Sequence, residues 1–239
     1  MYAMSVDISL TRDLLNIYLK DLARIYRKLS GKTLAEIILV GGAAILMSYN
    51  FRDMTTDVDA VILASSAMKD AIRQVSDMYS LPIDWLNGDF KNTSSYTEKL
   101  REVSVYYKTL SSVLEIRLVK AEYLIAMKLK SGRRYKFDQS DIAGILMEHK
   151  NNQTPISLNA IQNAVYKLYG NTELSIDSIN LLNDIFVTND YQTAYNELRK
   201  NEMESNDILI KARRDNPDLF KKEPISNILN KLQKMQTDE

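Results

Sequence analysis

The chain has 239 residues, of which 45% are hydrophobic and 26% are charged, and its 31 basic and 31 acidic side chains give no net charge. This composition is typical of a packed globular protein, and the balanced charge excludes attraction to nucleic acid or membrane by overall charge alone. The chain has no cysteine and one histidine, His149. Disulfides, thiolate chemistry and histidine-rich zinc sites are therefore excluded, and oxygen ligands are expected for any metal.

No run of residues approaches the ~18 consecutive apolar residues of a membrane-spanning helix. Residues 1–10 lack the basic patch and apolar run that characterise a secretory signal. We therefore expect a soluble protein in the cytoplasm with no membrane partner.

The first predicted element is an amphipathic helix, because apolar residues recur at helical spacing over residues 8–29 and Gly31 follows. Residues 36–40 (EIILV) are apolar and β-branched, which predicts a buried strand. Gly41 and Gly42 end that strand, and residues 43–47 (AAILM) predict the opening of a helix. A Gly-Gly pair is more often only a tight turn. At the start of a helix, however, it presents backbone N–H groups and a positive dipole end, which suit phosphate.

Residues 57–63 (DVDAVIL) predict the next strand. Asp57 and Asp59 lie two apart, so both carboxylates project from the same face and can chelate a hard cation such as Mg²⁺. The alternative is a solvated edge strand, but the apolar continuation at residues 61–63 favours a central one.

The pattern then predicts a helix capped by Ser65 or Ser66 and ending at Tyr79, and a third strand at residues 82–86 (PIDWL). Alternating residues predict an antiparallel pair at 103–110 and 113–119. Only helices are predicted after residue 120, at 121–132, 138–150, 157–169, 175–186, 190–204 and 225–235. We therefore predict an α/β (α+β) fold: an N-terminal helix (1–30), a mixed-sheet domain flanked by helices (31–120) and a helical C-terminal domain (121–239).

Residues 39–62 (LVGGAAILMSYNFRDMTTDVDAVI) resemble the glycine-turn and D-h-D signature of the nucleotidyltransferase superfamily. They are most similar to its branch of AbiEii-type toxins and related bacterial proteins. Residues 84–87 (DWLN) resemble the same branch, as does the block formed by 123–129, Gly132, Arg133 and 138–142. The resemblance extends over about residues 36–146 and leaves out the C-terminal third.

The resemblance implies a nucleotidyltransferase-like sheet and a magnesium-dependent transfer of nucleoside monophosphate from NTP to a hydroxyl. It implies that Gly41 and Gly42 bind the phosphates while Asp57 and Asp59 bind Mg²⁺. It further implies nucleotide contacts for three other residues: Thr56, Lys128 and Asp141. For Lys128 taken alone, a structural lysine at the end of an apolar helix face is the commoner case.

Superfamily members usually add a third carboxylate on a neighbouring strand, which serves as the base. Asp84 and Glu115 both stand between apolar residues and both qualify. The sequence leaves the choice open. A member without the third acid can bind nucleotide without transferring it.

The sequence says less about the acceptor and the partner proteins than about the nucleotide site. Positive charge concentrates in seven side chains that could hold an RNA acceptor or only the nucleotide: Arg117, Lys120, Lys128, Lys130, Arg133, Arg134 and Lys136. The acceptor could also be a protein or a small molecule.

The AbiEii-like resemblance implies that the protein is the toxin of a toxin–antitoxin pair and has a cognate antitoxin. The alternatives are a catalytically degenerate protein that binds nucleotide, and an interaction protein whose C-terminal helices bind a regulator. Arg52 is interpreted first as a structural counter-ion of the carboxylates.

Overall fold

The computed structural model of the chain describes residues 9–171 and 174–237. The predicted helix start at residue 8 lies outside these ranges. The chain forms two compact units: Met1–Met127 with Ile161–Gly170, and Lys128–Ala160 with Asn171–Glu239. The first unit carries the sheet, and in the second unit the described residues form helices and loops.

The N-terminal region confirms the predicted amphipathic helix. A short strand, β1 (Leu10–Thr11), leads into α1 (Arg12–Ser30), and the Thr11 hydroxyl caps the helix by accepting a hydrogen bond from the backbone N–H of Leu14. Gly31 ends the helix, as predicted. Its φ is 65°, a value that glycine adopts without steric cost. Its backbone N–H donates a hydrogen bond to the Arg27 carbonyl. The helix buries one face: Leu15, Tyr18, Leu19, Leu22, Ala23, Ile25 and Tyr26.

The centre of the first unit is a mixed five-stranded sheet, which confirms the predicted architecture. In chain order its elements and those around it are β2 (Ala35–Leu39), α2 (Gly41–Ser48), β3 (Met54–Thr55), β4 (Val58–Leu63), α3 (Ala67–Tyr79), β5 (Leu86–Asn87), β6 (Ser104–Leu110) and β7 (Leu114–Val119). The order in the sheet is β5-β4-β2-β7-β6. Strand β2 is antiparallel to β4 and parallel to β7, β4 is parallel to β5, and β6 is antiparallel to β7. A separate two-stranded sheet pairs β1 with β3.

The predicted third strand is wrong over most of its length. Only Leu86 of residues 82–86 is in β5, because Pro82 has no backbone N–H and a turn follows in which its carbonyl accepts from the N–H of Trp85 at 3.1 Å. The Trp85 ring is buried and donates to the Ile72 carbonyl. The Trp85 carbonyl accepts from the N–H of Val58 at 3.1 Å, which links this turn to β4.

The start of α3 also differs from the prediction in its capping. Ser66 occupies the N-cap position, but its side chain makes no capping hydrogen bond. The Ser65 hydroxyl lies 3.1 Å from the Tyr26 hydroxyl instead. The Ser65 carbonyl accepts from the N–H of Met68, so the backbone closes the first turn.

The remaining elements are helical, as predicted: α4 (Ala121–Ser131), α5 (Asp138–Asn151), α6 (Leu158–Tyr169), α7 (Ile176–Thr188), α8 (Tyr191–Asp215), α9 (Leu219–Lys222) and α10 (Ile225–Thr237). Helix α8 runs beyond its predicted end at residue 204, because no glycine or proline interrupts the chain before Pro217. Leu209, Ile228 and Leu229 form a small buried cluster between α8 and α10. Within the ranges that the structure describes, no helix is both long enough and apolar enough to cross a bilayer.

Candidate functional site

The glycine turn at the start of α2 forms one wall of the candidate site. Gly41 has φ 54°, a left-handed conformation that favours glycine. The preceding residue, Val40, is extended, and its carbonyl accepts the first helical hydrogen bond from Ala44 at 3.2 Å. Helix geometry leaves the N–H groups of the first turn without intrahelical acceptors. These backbone donors and the positive end of the helix dipole therefore lie together at the N-terminus of α2.

Asp59 lies beside this turn. A Cβ built on Gly41 would stand 3.8 Å from the Asp59 Oδ2 atom, and the N–H of Val40 donates to the Asp59 carbonyl at 3.1 Å. Asp57 immediately precedes β4. Both aspartates are half-buried, whereas Val58 between them is fully buried. The alternation indicates that the two aspartates leave the backbone away from the core.

Two residues near Gly42 were not among those predicted to bind nucleotide. A Cβ built on Gly42 would lie 2.7 Å from the Thr55 hydroxyl and 2.8 Å from Arg52 Nη2, so both side chains pack directly on this glycine. Thr55 is buried and donates to the Asp57 carbonyl at 3.2 Å, whereas the predicted Thr56 is exposed in the bend before β4. Thr55 belongs to β3 and a bend at Thr56 separates it from β4, so no local sequence pattern favoured Thr55 over Thr56.

The far end of α2 is fixed by Arg12. Its guanidinium donates to the Leu46 carbonyl at 2.8 Å, to Asn50 Oδ1 at 3.2 Å and to the Tyr49 carbonyl. A cation at a helix C-terminus also complements the helix dipole. Arg12 therefore holds the eight-residue helix whose first turn borders Asp59.

Glu115, one candidate third carboxylate, lies at the other end of the sheet. It is in register with Glu36, which is in register with Leu63 at the end of β4. Four strand positions, roughly 13 Å along the sheet, separate Glu115 from the level of Asp59. Its carboxylate accepts from Arg117 Nη1 at 2.7 Å. The structure therefore does not bring Glu115 and the glycine turn together.

Asp84, the other candidate, is exposed in the turn before β5. The residue of β5 that is in register with Asp59 is Asn87. The Asn87 amide donates to the Asp84 carbonyl at 3.1 Å and accepts from the N–H of Asp89 at 2.9 Å, so it stabilises the turn. Within residues 9–171 and 174–237, no cluster of three or more Asp, Glu, His or Cys side chains is placed to hold a metal ion.

Lys128 and Asp141 lie in a buried ion cluster of the second unit. Lys128 Nζ is 2.7 Å from Asp138 Oδ1 and 2.8 Å from Asp141 Oδ2, and the lysine is 7% exposed. Arg133 Nε donates to the other Asp138 oxygen at 2.9 Å. Burial would raise the pKa of Asp138, but Lys128 and Arg133 together lower it below its ordinary value. This pairing was not predicted from the sequence.

The cationic surface predicted for residues 117–136 is reduced by ion pairing. At least four of its seven basic side chains have carboxylate partners: Arg117 with Glu115, Lys128 with Asp138 and Asp141, Arg133 with Asp138, and Arg134 with Asp177. Paired charges attract phosphate less than solvated ones do. The run of basic residues is thus a weaker indication of RNA binding than the sequence implied.

Glu202 of α8 is a further buried acid in the second unit, besides Asp138 and Asp141. It is 1% exposed and accepts from the backbone N–H groups of Gln139 at 2.7 Å and Ser140 at 3.2 Å, so it caps the start of α5. Burial raises the pKa of Glu202 to about 7, although these hydrogen bonds oppose the rise. A cap supplied from another helix leaves no local sequence pattern, so this residue was missed.

The chemistry of the first unit's residues suits a nucleotide. Magnesium is bound in proteins through one or two carboxylates together with substrate phosphates, and Asp57 and Asp59 provide two at the start of β4. The first turn of α2 provides donors for phosphate oxygens. The residues present therefore fit a magnesium-bound triphosphate.

Comparison with known proteins gives one family match. Residues 18–202 match the family described as "Nucleotidyltransferase of unknown function (DUF6036)". The search of curated proteins and the search of solved structures each returned no match. Because the family match covers more than half of the chain, and the sheet and helices are those expected of a nucleotidyltransferase-like fold, the protein belongs to this nucleotidyltransferase family of unknown function.

Proposed function

We propose that the protein is a magnesium-dependent nucleotidyltransferase that moves a nucleoside monophosphate from NTP to a hydroxyl of RNA, protein or a small molecule. The observation that carries the proposal is the Asp59 carboxylate beside the Gly41 turn. In this proposal Asp57 and Asp59 hold Mg²⁺, and the backbone N–H groups of Gly41 and Gly42 bind the phosphates. Thr56 lies next to this pair in sequence and would enter only as an additional hydroxyl donor.

The reaction is an in-line displacement at the α-phosphorus. The acceptor oxygen forms a new P–O bond, the bond between the α-phosphorus and the bridging oxygen breaks, and pyrophosphate leaves. The hydroxyl proton passes to a base. Of the two candidates predicted for it, Glu115 lies four strand positions from the level of Asp59, so the proposal retains Asp84. When bound, Mg²⁺ would neutralise the negative charge that develops on the phosphate oxygens.

The roles that the resemblance implies for Lys128 and Asp141 require their ion pairs to rearrange. In the structure the ammonium group of Lys128 lies between two buried aspartates. A phosphate contact by Lys128 requires these ion pairs to open, and Asp138 and Asp141 would then lose the Lys128 ammonium group. Breaking a buried pair is strongly unfavourable unless the new partner replaces the lost contacts.

The biological role proposed is that of a toxin with a cognate antitoxin. It is supported by the resemblance of residues 39–62, of residues 84–87 and of the block formed by 123–129, Gly132, Arg133 and 138–142 to AbiEii-type toxins. Induced expression should arrest growth for the wild type and not for Asp59→Asn. Equal growth of the two strains, at matched protein levels, would contradict the toxin role and leave the transfer reaction to be tested separately.

Transfer is tested with each of the four α-³²P-labelled NTPs, Mg²⁺ and an extract that contains total RNA and protein. We expect label in an RNA or protein band for the wild type, and a loss of roughly 100-fold or more for Asp57→Asn and Asp59→Asn, as for removal of a principal electrostatic group. Asp53→Asn is the matched control, because Asp53 is exposed in the loop before β3. Retained transfer in Asp59→Asn would refute the proposal.

A nucleotide-binding protein without transferase activity is the second candidate. It is favoured by the position of Asn87, because the residue of the neighbouring strand β5 that is in register with Asp59 is an amide and not a carboxylate. The discriminating result is tight binding of Mg-NTP by the wild type, measured by calorimetry, with no label transferred to any component of the extract.

A further inference from the structure

Asn87 and Gly88 form the only Asn-Gly pair in the sequence. In such a pair the backbone nitrogen attacks the side-chain amide most readily, because glycine has no Cβ to hinder the approach. In the structure Asn87 ends the edge strand β5, and Gly88 stands just outside its ladder. Both residues are half-buried, so water has access to them. The pair is therefore placed for spontaneous deamidation.

The hydrogen bonds around this pair favour the reaction. Asn87 Oδ1 accepts from the backbone N–H of Asp89 at 2.9 Å, and this bond closes a ring that contains both the Asn87 Cγ carbon and the Gly88 nitrogen. A donor on Oδ1 stabilises the negative charge that develops there when Cγ is attacked. Among the residues that the structure describes, the Gly88 N–H has no hydrogen-bond acceptor. The attacking nitrogen is thus unrestrained, and the attacked carbonyl is polarised.

The reaction has two steps. The Gly88 nitrogen forms a bond to the Asn87 Cγ carbon and loses its proton to water, and the Cγ–Nδ2 bond breaks, so that ammonia leaves and a succinimide ring remains. The hydrogen bond from Nδ2 to the Asp84 carbonyl, 3.1 Å long, breaks at this point. Water then opens the ring at Cγ, which gives aspartate, or at the main-chain carbonyl, which gives isoaspartate. The net change consumes a water molecule and releases ammonia.

Position 87 is next to the proposed metal ligands. Asn87 is in register with Asp59 on the neighbouring parallel strand, so their side chains leave the sheet on the same face, from backbones roughly 5 Å apart. The alternation along the chain puts Asp57 on that face as well. In the unmodified chain these positions carry two carboxylates and an amide, and within the described ranges no three acidic or histidine side chains are placed to hold a metal. An aspartate at position 87 would supply a third carboxylate.

We propose that Asn87 is a deamidation site and that the aspartate formed there completes a three-carboxylate metal site with Asp57 and Asp59. The inference rests on the proposed function, because it takes that pair as magnesium ligands. Deamidation adds a negative charge beside the cation, which strengthens metal binding by Coulomb attraction. Isoaspartate places the carboxylate on Cα and lengthens the main chain, so it does not share this effect.

The modification is measured by peptide mass spectrometry on the wild-type chain after incubation at neutral pH. We expect the peptide that contains residues 87 and 88 to gain the mass of an amide-to-acid exchange before any other asparagine does, with aspartate and isoaspartate forms that separate by chromatography. Gly88→Ala is the matched control. Gly88 has φ −106°, and an added Cβ would lie 3.9 Å from the Ala60 carbonyl oxygen, an ordinary contact. The fold should tolerate this alanine, and its Cβ should slow the reaction.

The consequence for metal binding is measured by calorimetric titration with Mg²⁺ alone. Asn87→Asp should bind Mg²⁺ roughly tenfold more tightly than the wild type, because a carboxylate replaces an amide beside the ion. The aspartate form of the incubated wild type, separated by anion exchange, should show the same gain, which makes the result independent of how well the variant folds. Asn163→Asp is the control for added charge, because Asn163 is exposed on α6 in the same unit.

Three results would overturn the inference. The first is a mass at residues 87 and 88 that stays unchanged while other asparagines deamidate. The second is deamidation of Gly88→Ala as fast as that of the wild type. The third is a Mg²⁺ affinity of Asn87→Asp and of the aspartate form that equals the affinity of Asn163→Asp. If neither the wild type nor Asn87→Asp binds Mg²⁺, the proposed function itself fails, and the metal role of position 87 with it.

Discussion

Glu202 should make the stability of the helical unit depend on pH. Its pKa is about 7 in the folded protein against an ordinary 4.5. Between these values the folded protein retains a proton that the unfolded chain has released, so the free energy of unfolding falls as the pH rises from 4.5 to 7. At about 1.4 kcal/mol for each pH unit, the loss is about 3 kcal/mol. Above pH 7 both states are ionised and no further change comes from this group.

The perturbation is Glu202→Gln, which removes the titrating group and keeps its size. Urea unfolding followed by circular dichroism from pH 4.5 to 8 gives the free energy of unfolding for both proteins. We expect the wild-type value to fall by about 3 kcal/mol more than that of the variant across this range. Glu204→Gln is the control, because Glu204 lies on the same helix with 61% of its side chain exposed. A difference between wild type and Glu202→Gln that is constant with pH would refute the reasoning.

Three further predictions concern positions that fix the fold. Lys128→Met should destabilise the protein by about 3–5 kcal/mol in urea unfolding, since the buried Asp138 and Asp141 both lose the Lys128 ammonium group, although Asp138 keeps Arg133; a loss below about 1 kcal/mol would contradict the buried pairing. Arg12→Gln should lower the unfolding free energy by about 1.5–3 kcal/mol, because carbonyls at the end of α2 lose a charged donor; an unchanged melting temperature would count against this role. Gly42→Ala should cost about 1–3 kcal/mol through contact with the Thr55 hydroxyl, and thermal unfolding that matches the wild type would show that the turn can expand.

The larger elements of the fold could be predicted because each has its own local pattern. The helix ended by Gly31, the strand before Gly41 and the antiparallel pair β6 and β7 each follow from periodicity and turn residues. Strands β1 and β3 could not, because each has two residues and is defined only by pairing with the other. The turn at residues 82–85 was missed because the apolar Ile83, which suggested a strand, is exposed.

Within the candidate site, only the approach of the aspartates to the glycine turn was expected, and it was expected from the resemblance at residues 39–62. Gly41 and Asp59 were brought together by a recognised motif, whereas the approach of Arg52 to Gly42 depends on how the loop after α2 folds back. The distance of Glu115 from the glycine turn depends on strand register, which is set by pairing between β2, β4 and β7. The apolar setting of Glu115 in sequence carries no information about that register.

The turn that links Trp85 to β4 has a practical consequence. Trp85 is the only indole of the chain, so ultraviolet emission of tryptophan comes from one place, and its carbonyl accepts from the N–H of Val58 beside Asp59. A ligand that shifts the first residues of β4 would change the surroundings of this ring. The protein thus carries an optical reporter within one hydrogen bond of the strand that bears the aspartates, and titrations can follow occupancy without an attached dye.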